Sequence, residues 1–242
     1  MTQTPESILL NERIDRVRAR IIDSSRRAGR SPEEITLVAV SKTHPVQAIQ
    51  DALSMAVVDF GENRVQEAET KIPVIGRETA RWHLIGHLQS NKARRAVELF
   101  DVIHSLDSAS LAIRLNRVCE EANRAMMPVL IQLDLGHEAT KTGVDEAELP
   151  GLVNAVQQSD RLQLIGLMTL PPFFDQAESA RPYFRRLREL RDELQSSGAF
   201  GDAPGQLSMG MTHDFEIAIE EGATIVRVGT AIFGTREVAA RP

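Results

Sequence analysis

One lysine stands where its amine could do chemistry rather than carry a surface charge. Lys42 directly follows Ser41 and the apolar run of residues 35–40, so its stem is expected to leave a buried strand. Partial desolvation at such a place disfavours the ammonium form, which is how a lysine becomes a Schiff-base nucleophile. On position alone, a strand-end lysine that simply reaches water is an equally good interpretation.

Competing amines are few, because only four of the 28 basic residues are lysines. Lys71 falls late in a predicted helix, Lys92 falls early in another, and Lys141 lies in the polar loop of residues 136–143. We expect all three to be solvated surface charges.

A second group of residues could bind an anion. The loops that follow the seventh and eighth predicted strands combine glycines, hydroxyls and backbone N–H groups, a combination that suits phosphate. The first loop contains Ser208, Met209, Gly210, Met211 and Thr212, and the second contains residues 229–234, with Gly229 and Thr230 at its start.

Arg227 lies inside the last apolar run, and a buried arginine needs an acceptor. One interpretation pairs it with a core carboxylate such as Asp59 or Asp134. The other makes it a permanent cation that faces a ligand.

Alternating elements are needed to bring these residues together. Eight short apolar runs predict strands at residues 35–40, 57–60, 82–85, 102–105, 129–133, 162–167, 206–209 and 224–228. An amphipathic helix over residues 5–26 precedes them, and helices are predicted near 45–56, 64–72, 91–100, 108–124, 145–159, 177–197 and 213–221, with Ser90, Ser108 and Asp145 as N-caps.

This count favours an α/β fold, a (β/α)8 TIM barrel with an additional N-terminal helix in the eighth helical position. An open doubly wound sheet is the alternative. No linker divides the chain, so we expect one domain over residues 1–242. In both architectures functional groups lie at the carboxyl ends of the strands.

Composition excludes several classes of function. The net charge of −6 argues against binding to nucleic acid or to an anionic membrane. Cys119 is the only cysteine, so neither an internal disulfide nor a thiolate metal cluster is possible. His83 and His87 are four residues apart, but a strand-to-loop passage does not place them on one helical face, and no metal site is expected. With no apolar membrane segment, we expect a cytoplasmic protein.

A phosphate-binding loop pair, an emerging lysine and a fixed arginine together describe a pocket for pyridoxal 5′-phosphate (PLP), with its aldehyde on Lys42 as an imine. The chain resembles the pyridoxal phosphate homeostasis protein family, whose fold is similar to the barrel domain of alanine racemases and of fold-type III decarboxylases. The resemblance spans about residues 5–236. It rests on residues 38–43, 60–63, 66–67, 82–86, 88–92, 207–212, 214, 227–230 and 232–234.

The resemblance implies specific roles. Lys42 would be the imine lysine and Arg227 would lie opposite the pyridine nitrogen. Asn63 would lie beside the cofactor, and the phosphate ligands would be Ser208, Gly229 and Thr230. Two positions depart from the family pattern: Arg64 stands where an aromatic residue is common, and Asp134 stands where asparagine is common.

An arginine at the pyridine nitrogen weakens the case for catalysis. It cannot protonate that nitrogen, so the ring stays a poor electron sink. The only tyrosine, Tyr183, is predicted on an outer helix remote from the strand ends. We therefore expect a monomeric protein that buffers PLP or delivers it to PLP-dependent apo-enzymes, with little or no catalysis. Two alternatives remain: an amino-acid racemase with a base such as His87, and a class I aldolase that uses Lys42 on a sugar phosphate without a cofactor.

Overall fold

The computed structural model describes residues 5–137 and 142–234. Its eight strands are β1 (Thr36–Val40), β2 (Asp59–Glu62), β3 (Arg81–Leu84), β4 (Val102–Leu106), β5 (Met127–Leu133), β6 (Leu162–Thr169), β7 (Gln206–Ser208) and β8 (Ile225–Val228). The helices are α1 (Pro5–Arg27), α2 (Val46–Ser54), α3 (Val65–Ile75), α4 (Ala93–Leu99), α5 (Ala109–Glu121), α6 (Leu149–Gln157), α7 (Arg181–Ser196), α8 (Phe215–Glu220) and α9 (Thr230–Phe233).

The strands form a closed parallel barrel in sequence order. Closure occurs between β1 and β8, where Thr36 pairs with Ile225 and Ala39 pairs with Val228. The predicted barrel is thus confirmed and the open sheet is wrong. The first helix lies against α8 and α9, where Arg20 makes two hydrogen bonds to Glu216, of 3.0 and 2.8 Å. It takes the eighth helical position because α9 is a single turn.

Two separate apolar cores hold the barrel together. The larger lies between the strands and the surrounding helices. A smaller one contains residues from strands on opposite sides, and such residues can meet only inside the barrel: Val38, Val102, Leu130, Met168 and Ile225. Side chains two residues further along the same strand faces therefore also point into the interior.

Some local predictions differ from the structure. The second strand begins two residues later than predicted. The apolar Val57 is buried but precedes the strand, and the strand extends to the polar Glu62, which is also buried. Ser108 caps α5 as predicted, its hydroxyl accepting a hydrogen bond from Leu111 N at 3.3 Å. Ser90 is instead the first residue of a 3₁₀ turn, and Asp145 precedes another such turn without a side-chain capping bond. In the described part of the chain no helix is long and apolar enough to cross a membrane.

Candidate cofactor site

A cavity of about 490 Å³ opens at the carboxyl ends of the strands. Five of the eight predicted site residues line it: Lys42, Asn63, Arg227, Gly229 and Thr230. They come from the ends of β1, β2 and β8, so closure of the barrel is what brings them together. Their roles toward a ligand stay predictions.

Lys42 reaches this cavity because of the alternation along β1. Val38 belongs to the interior core, and Val40 and Lys42 follow it on the same face and line the cavity. Ser41 points the other way, and its hydroxyl donates to Glu62 Oε1 at 2.7 Å. The amine of Lys42 is thus placed at the cavity by strand geometry.

Arg227 is only 2% exposed and is held by two hydrogen bonds. Nη1 donates to Ser208 Oγ at 2.6 Å and Nη2 donates to the carbonyl oxygen of Thr169 at 2.9 Å. Burial lowers the pKa of Arg227 to about 10, with the Asp214 carboxylate acting in the opposite direction. The guanidinium is therefore still a cation at neutral pH.

The proposed ion pair of Arg227 with Asp59 or Asp134 is wrong. Asp59 Oδ1 lies 2.8 Å from His83 Nε2, and Asp134 Oδ1 accepts from the backbone N–H of Gly136 at 3.2 Å. A hydroxyl and a carbonyl oxygen accept the hydrogen bonds of the arginine instead, and the Asp214 carboxylate acts on it only through its charge.

The three predicted residues at the end of β7 do not line the cavity. Ser208 is fully buried, with its Oγ between Arg227 and His104 Nδ1. Met209 belongs to the core between strands and helices. Gly210 has a φ of 89°, and a Cβ there would lie 2.6 Å from Ala218 Cβ. This arrangement does not support a phosphate contact from these three residues.

The residues that follow Gly210 line this side of the cavity instead. Met211, Thr212, His213 and Asp214 line the cavity. Met211 and Thr212 belong to the loop that the sequence indicates, whereas His213 and Asp214 do not; a left-handed turn at Gly210 redirects the chain, so that the residues beyond it reach the opening. His213 lies on the cavity rim, with its ring centroid 5.5 Å from that of Phe173.

The loop after β6 supplies an apolar wall. Five consecutive residues of this loop, 170–174, line the cavity, and Phe173 is 78% exposed at the rim. Tyr183 at the start of α7 packs its ring 5.7 Å from that of Phe174. Tyr183 is therefore nearer the site than predicted. It packs against Phe174, which lines the cavity, but does not line the cavity itself.

Lys71 corrects a prediction. Instead of being a solvated charge it is 5% exposed, and its Nζ contacts Ser41 O at 2.8 Å, Glu62 Oε1 at 2.9 Å and Glu67 Oε1 at 2.6 Å. Lys92 is half-buried beside a neighbouring depression, and Lys141 lies outside the described residues. Among the described lysines, Lys42 alone lines the cavity.

The histidines named as candidates lie away from the cavity. His87 borders the neighbouring depression, and its Nδ1 is 3.0 Å from Asp107 Oδ2. His83 is buried between Asp59 and His104. Over residues 5–137 and 142–234, no group of three or more His, Cys, Asp or Glu side chains could hold a metal ion.

The barrel and its lysine-bearing cavity define a class that known proteins share. A family model described as the alanine racemase N-terminal domain matches residues 14–237. The solved alanine racemase of Corynebacterium glutamicum has a TM-score of 0.65 at 18% identity, and the match covers 94% of this chain and 62% of that one. That likeness concerns the fold.

Closer relatives specify the family. The pyridoxal phosphate homeostasis protein of Aquifex aeolicus is 43% identical over 226 residues, covering 93% of this chain and 98% of the relative. The Escherichia coli K12 protein of the same name is 42% identical over 230 residues, covering 91% and 94%. The chain belongs to the pyridoxal phosphate homeostasis protein family. The PLP-bound structure of PipY from Synechococcus elongatus PCC7942 has a TM-score of 0.79 at 39% identity, covering 93% of this chain and all of PipY.

Proposed function

We propose that this protein binds pyridoxal 5′-phosphate in the cavity and takes part in PLP homeostasis, as a buffer or a delivery protein with little or no catalysis. Membership of the family and the PLP-bound relative support the ligand. The observation that carries the assignment to this cavity is that one amine and one buried cation, Lys42 and Arg227, line it together.

The residues present fit this cofactor. The Lys42 amine would condense with the aldehyde carbon and release one water. Arg227 would donate a hydrogen bond to the ring nitrogen. The hydroxyls of Thr212 and Thr230 and the backbone at Gly229 offer donors for the phosphate, and residues 170–174 offer an apolar wall for the flat ring.

The same residues argue against efficient catalysis. When bound, PLP acts as an electron sink, and this sink is strong only if the ring nitrogen is protonated. A donor such as Arg227 leaves that nitrogen unprotonated. His87, the base invoked for a racemase, does not line the cavity, and neither does Tyr183. A racemase therefore gains no support from these two side chains.

The experiment compares the parent with Lys42→Ala and with Lys92→Ala as a matched control. After addition of PLP we expect the parent and the control to show visible imine absorbance, and borohydride reduction to fix the cofactor to the peptide that contains Lys42. Lys42→Ala should lack both signals. An adduct that persists in Lys42→Ala overturns the assignment of this lysine.

Two further outcomes address the alternatives. Conversion of an L-amino acid to its D-form at an ordinary enzymatic rate would select the racemase. A colourless protein that borohydride traps only in the presence of a carbonyl substrate would select the aldolase. Neither is expected.

Delivery is the finer part of the proposal. We propose that the protein acts as a monomer in the cytoplasm and passes PLP to PLP-dependent apo-enzymes. The loaded protein should restore the activity of such an apo-enzyme in the presence of a scavenger for free PLP. The apo-enzyme's activity could instead recover no faster than when free PLP is supplied together with the same scavenger. That result would contradict delivery and leave buffering as the role of the protein.

A further inference from the structure

A line of five polar side chains crosses the interior of the barrel and ends at the cavity. It runs from Asp59 through His83, His104 and Ser208 to Arg227. The successive contacts are Asp59 Oδ1 to His83 Nε2 at 2.8 Å, His83 Nδ1 to His104 Nε2 at 2.9 Å, His104 Nδ1 to Ser208 Oγ at 2.8 Å and Ser208 Oγ to Arg227 Nη1 at 2.6 Å.

The line is sealed from solvent along most of its length. His83, His104, Ser208 and Arg227 are each at most 2% exposed. Asp59, at the start of β2, has a side chain that is 16% exposed and borders a depression at the other end of the barrel from the cavity. Buried polar groups of this kind must satisfy one another, because water does not reach them.

The directions of the hydrogen bonds follow from the two ends of the line together with neutral imidazoles, each of which carries one proton. Arginine can only donate, so Ser208 Oγ accepts from Arg227 and, beside a neutral His104, gives its own hydrogen to His104 Nδ1. His104 then carries its proton on Nε2 and donates to His83 Nδ1. His83 carries its proton on Nε2 and donates to the Asp59 carboxylate, which can only accept. Both imidazoles are neutral in this arrangement.

The electrostatics agree with two neutral rings. Burial lowers the pKa of His83 despite the nearby Asp59 carboxylate. Burial also holds the pKa of His104 well below its ordinary range, and the charge of Arg227 acts in the same direction.

We propose that Asp59, His83, His104 and Ser208 are positioning residues that hold the Arg227 guanidinium in one orientation at the cavity and connect it to the carboxylate at the far end of the barrel. Ser208 then serves the arginine rather than a phosphate. The effect on PLP rests on the proposed function, whereas the hydrogen-bond direction does not.

The first test needs no cofactor. Nitrogen-15 NMR of the imidazoles in the unloaded protein at neutral pH should show His83 and His104 neutral and protonated on Nε2. A proton on Nδ1 of either ring, or a cationic His83, would reverse the line and overturn the proposal. Ser208→Ala should perturb the His83 signal through His104, and Ser208→Thr, which keeps the hydroxyl, should restore it.

The second test uses the loaded protein. Ser208→Ala should shift the visible band of bound PLP and weaken its binding about five- to tenfold, the loss expected for one buried hydrogen bond. Ser208→Thr should recover both. If the visible band and the affinity for PLP are unchanged in Ser208→Ala, then Ser208 does not act on the bound cofactor through Arg227.

The two tests separate the proposals. If the parent forms no adduct with PLP, the proposed function fails while the imidazole protons still decide the direction of the line. Should Ser208→Ala not fold, the parent tautomers and a His104→Gln variant, read by the same visible band, decide the positioning role. An unshifted band in His104→Gln contradicts it.

Discussion

At the scale of single residues, the environment of Lys71 differs most from expectation. Its ammonium is surrounded by oxygens of Ser41, Glu62 and Glu67, and Glu62 is fully buried. Burial raises the pKa of Glu62, with the charge of Lys71 opposing that rise, and Oε2 of the same carboxyl has no hydrogen-bond partner among the described residues. The charge of Lys71 therefore favours the ionised form of a buried carboxyl.

Removing this lysine tests that interpretation. Lys71→Met should lower the free energy of unfolding by about 3–5 kcal/mol, because Glu62 is left buried without its cation. Urea unfolding at pH 7 measures the loss. Lys92→Met, a change at a half-buried amine outside the cluster, should cost no more than about 0.5 kcal/mol. The double variant Glu62→Gln/Lys71→Met should recover part of the loss, and a purely additive result would contradict the coupling.

Residue-scale prediction from sequence succeeded where a strand end determines a side chain's position and failed where partners come from distant segments. Lys42 and Arg227 could be placed at the cavity because each follows or interrupts a buried strand. The burial of Lys71 could not be predicted from sequence. Its partners Ser41 and Glu62 lie 30 and nine residues away along the chain, and no sequence pattern indicates that they contact it. The same holds for Ser208, whose partners are His104 and Arg227.

At the scale of elements, the loops after β2 and β3 are in direct backbone contact. A Cβ on Gly86 would lie 2.3 Å from the carbonyl oxygen of Asn63, which lines the cavity. Glycine there is a requirement of close approach. Nothing surrounds the corresponding position of Gly151 within 4 Å, although it lies inside α6.

These two glycines make a matched pair. Gly86→Ala should destabilise the protein by about 1–3 kcal/mol and weaken PLP binding, because one of the two loops must move. Gly151→Ala should be neutral or stabilise by up to about 1 kcal/mol, since alanine is the better helix former. Thermal unfolding and PLP titration check both; equal effects of the two variants would refute the argument.

Element existence was predictable from sequence, and element boundaries were less so. All eight apolar runs became strands because a barrel strand is covered on both faces. The bounds of the second strand were predicted wrongly because a glutamate is typical of a loop. Glu62 can lie in a buried strand because Lys71 pairs with it. The single turn α9 is too short to show any periodicity.

At the scale of the whole molecule, the two interior histidines couple stability to pH. Their folded-state pKa values lie below the ordinary value of 6.5, chiefly through burial, although Asp59 opposes this at His83. The facing charges are those of Asp59, Arg81, Asp101 and Arg227. The unfolded chain then binds more protons than the folded one, so stability should be lost as the pH falls below about 6.5.

Urea titrations between pH 7.5 and 5.5 measure this loss. Glu62 acts in the opposite direction, because a raised carboxyl pKa favours the folded state as the pH falls. A comparison of the parent with His83→Gln isolates the contribution of His83. The variant should show a shallower decline, and an identical slope would contradict the assignment.

The line from Asp59 to Arg227 also gives the barrel an electrical polarity. Negative charge lies at the amino-terminal mouth and positive charge at the floor of the cavity, with neutral, aligned dipoles between them. The floor thus presents the hydrogen-bond donors of a cationic guanidinium. It would select a pyridine nitrogen with a free lone pair and reject the same ring once that nitrogen is protonated, so the barrel discriminates between two protonation states of one ligand.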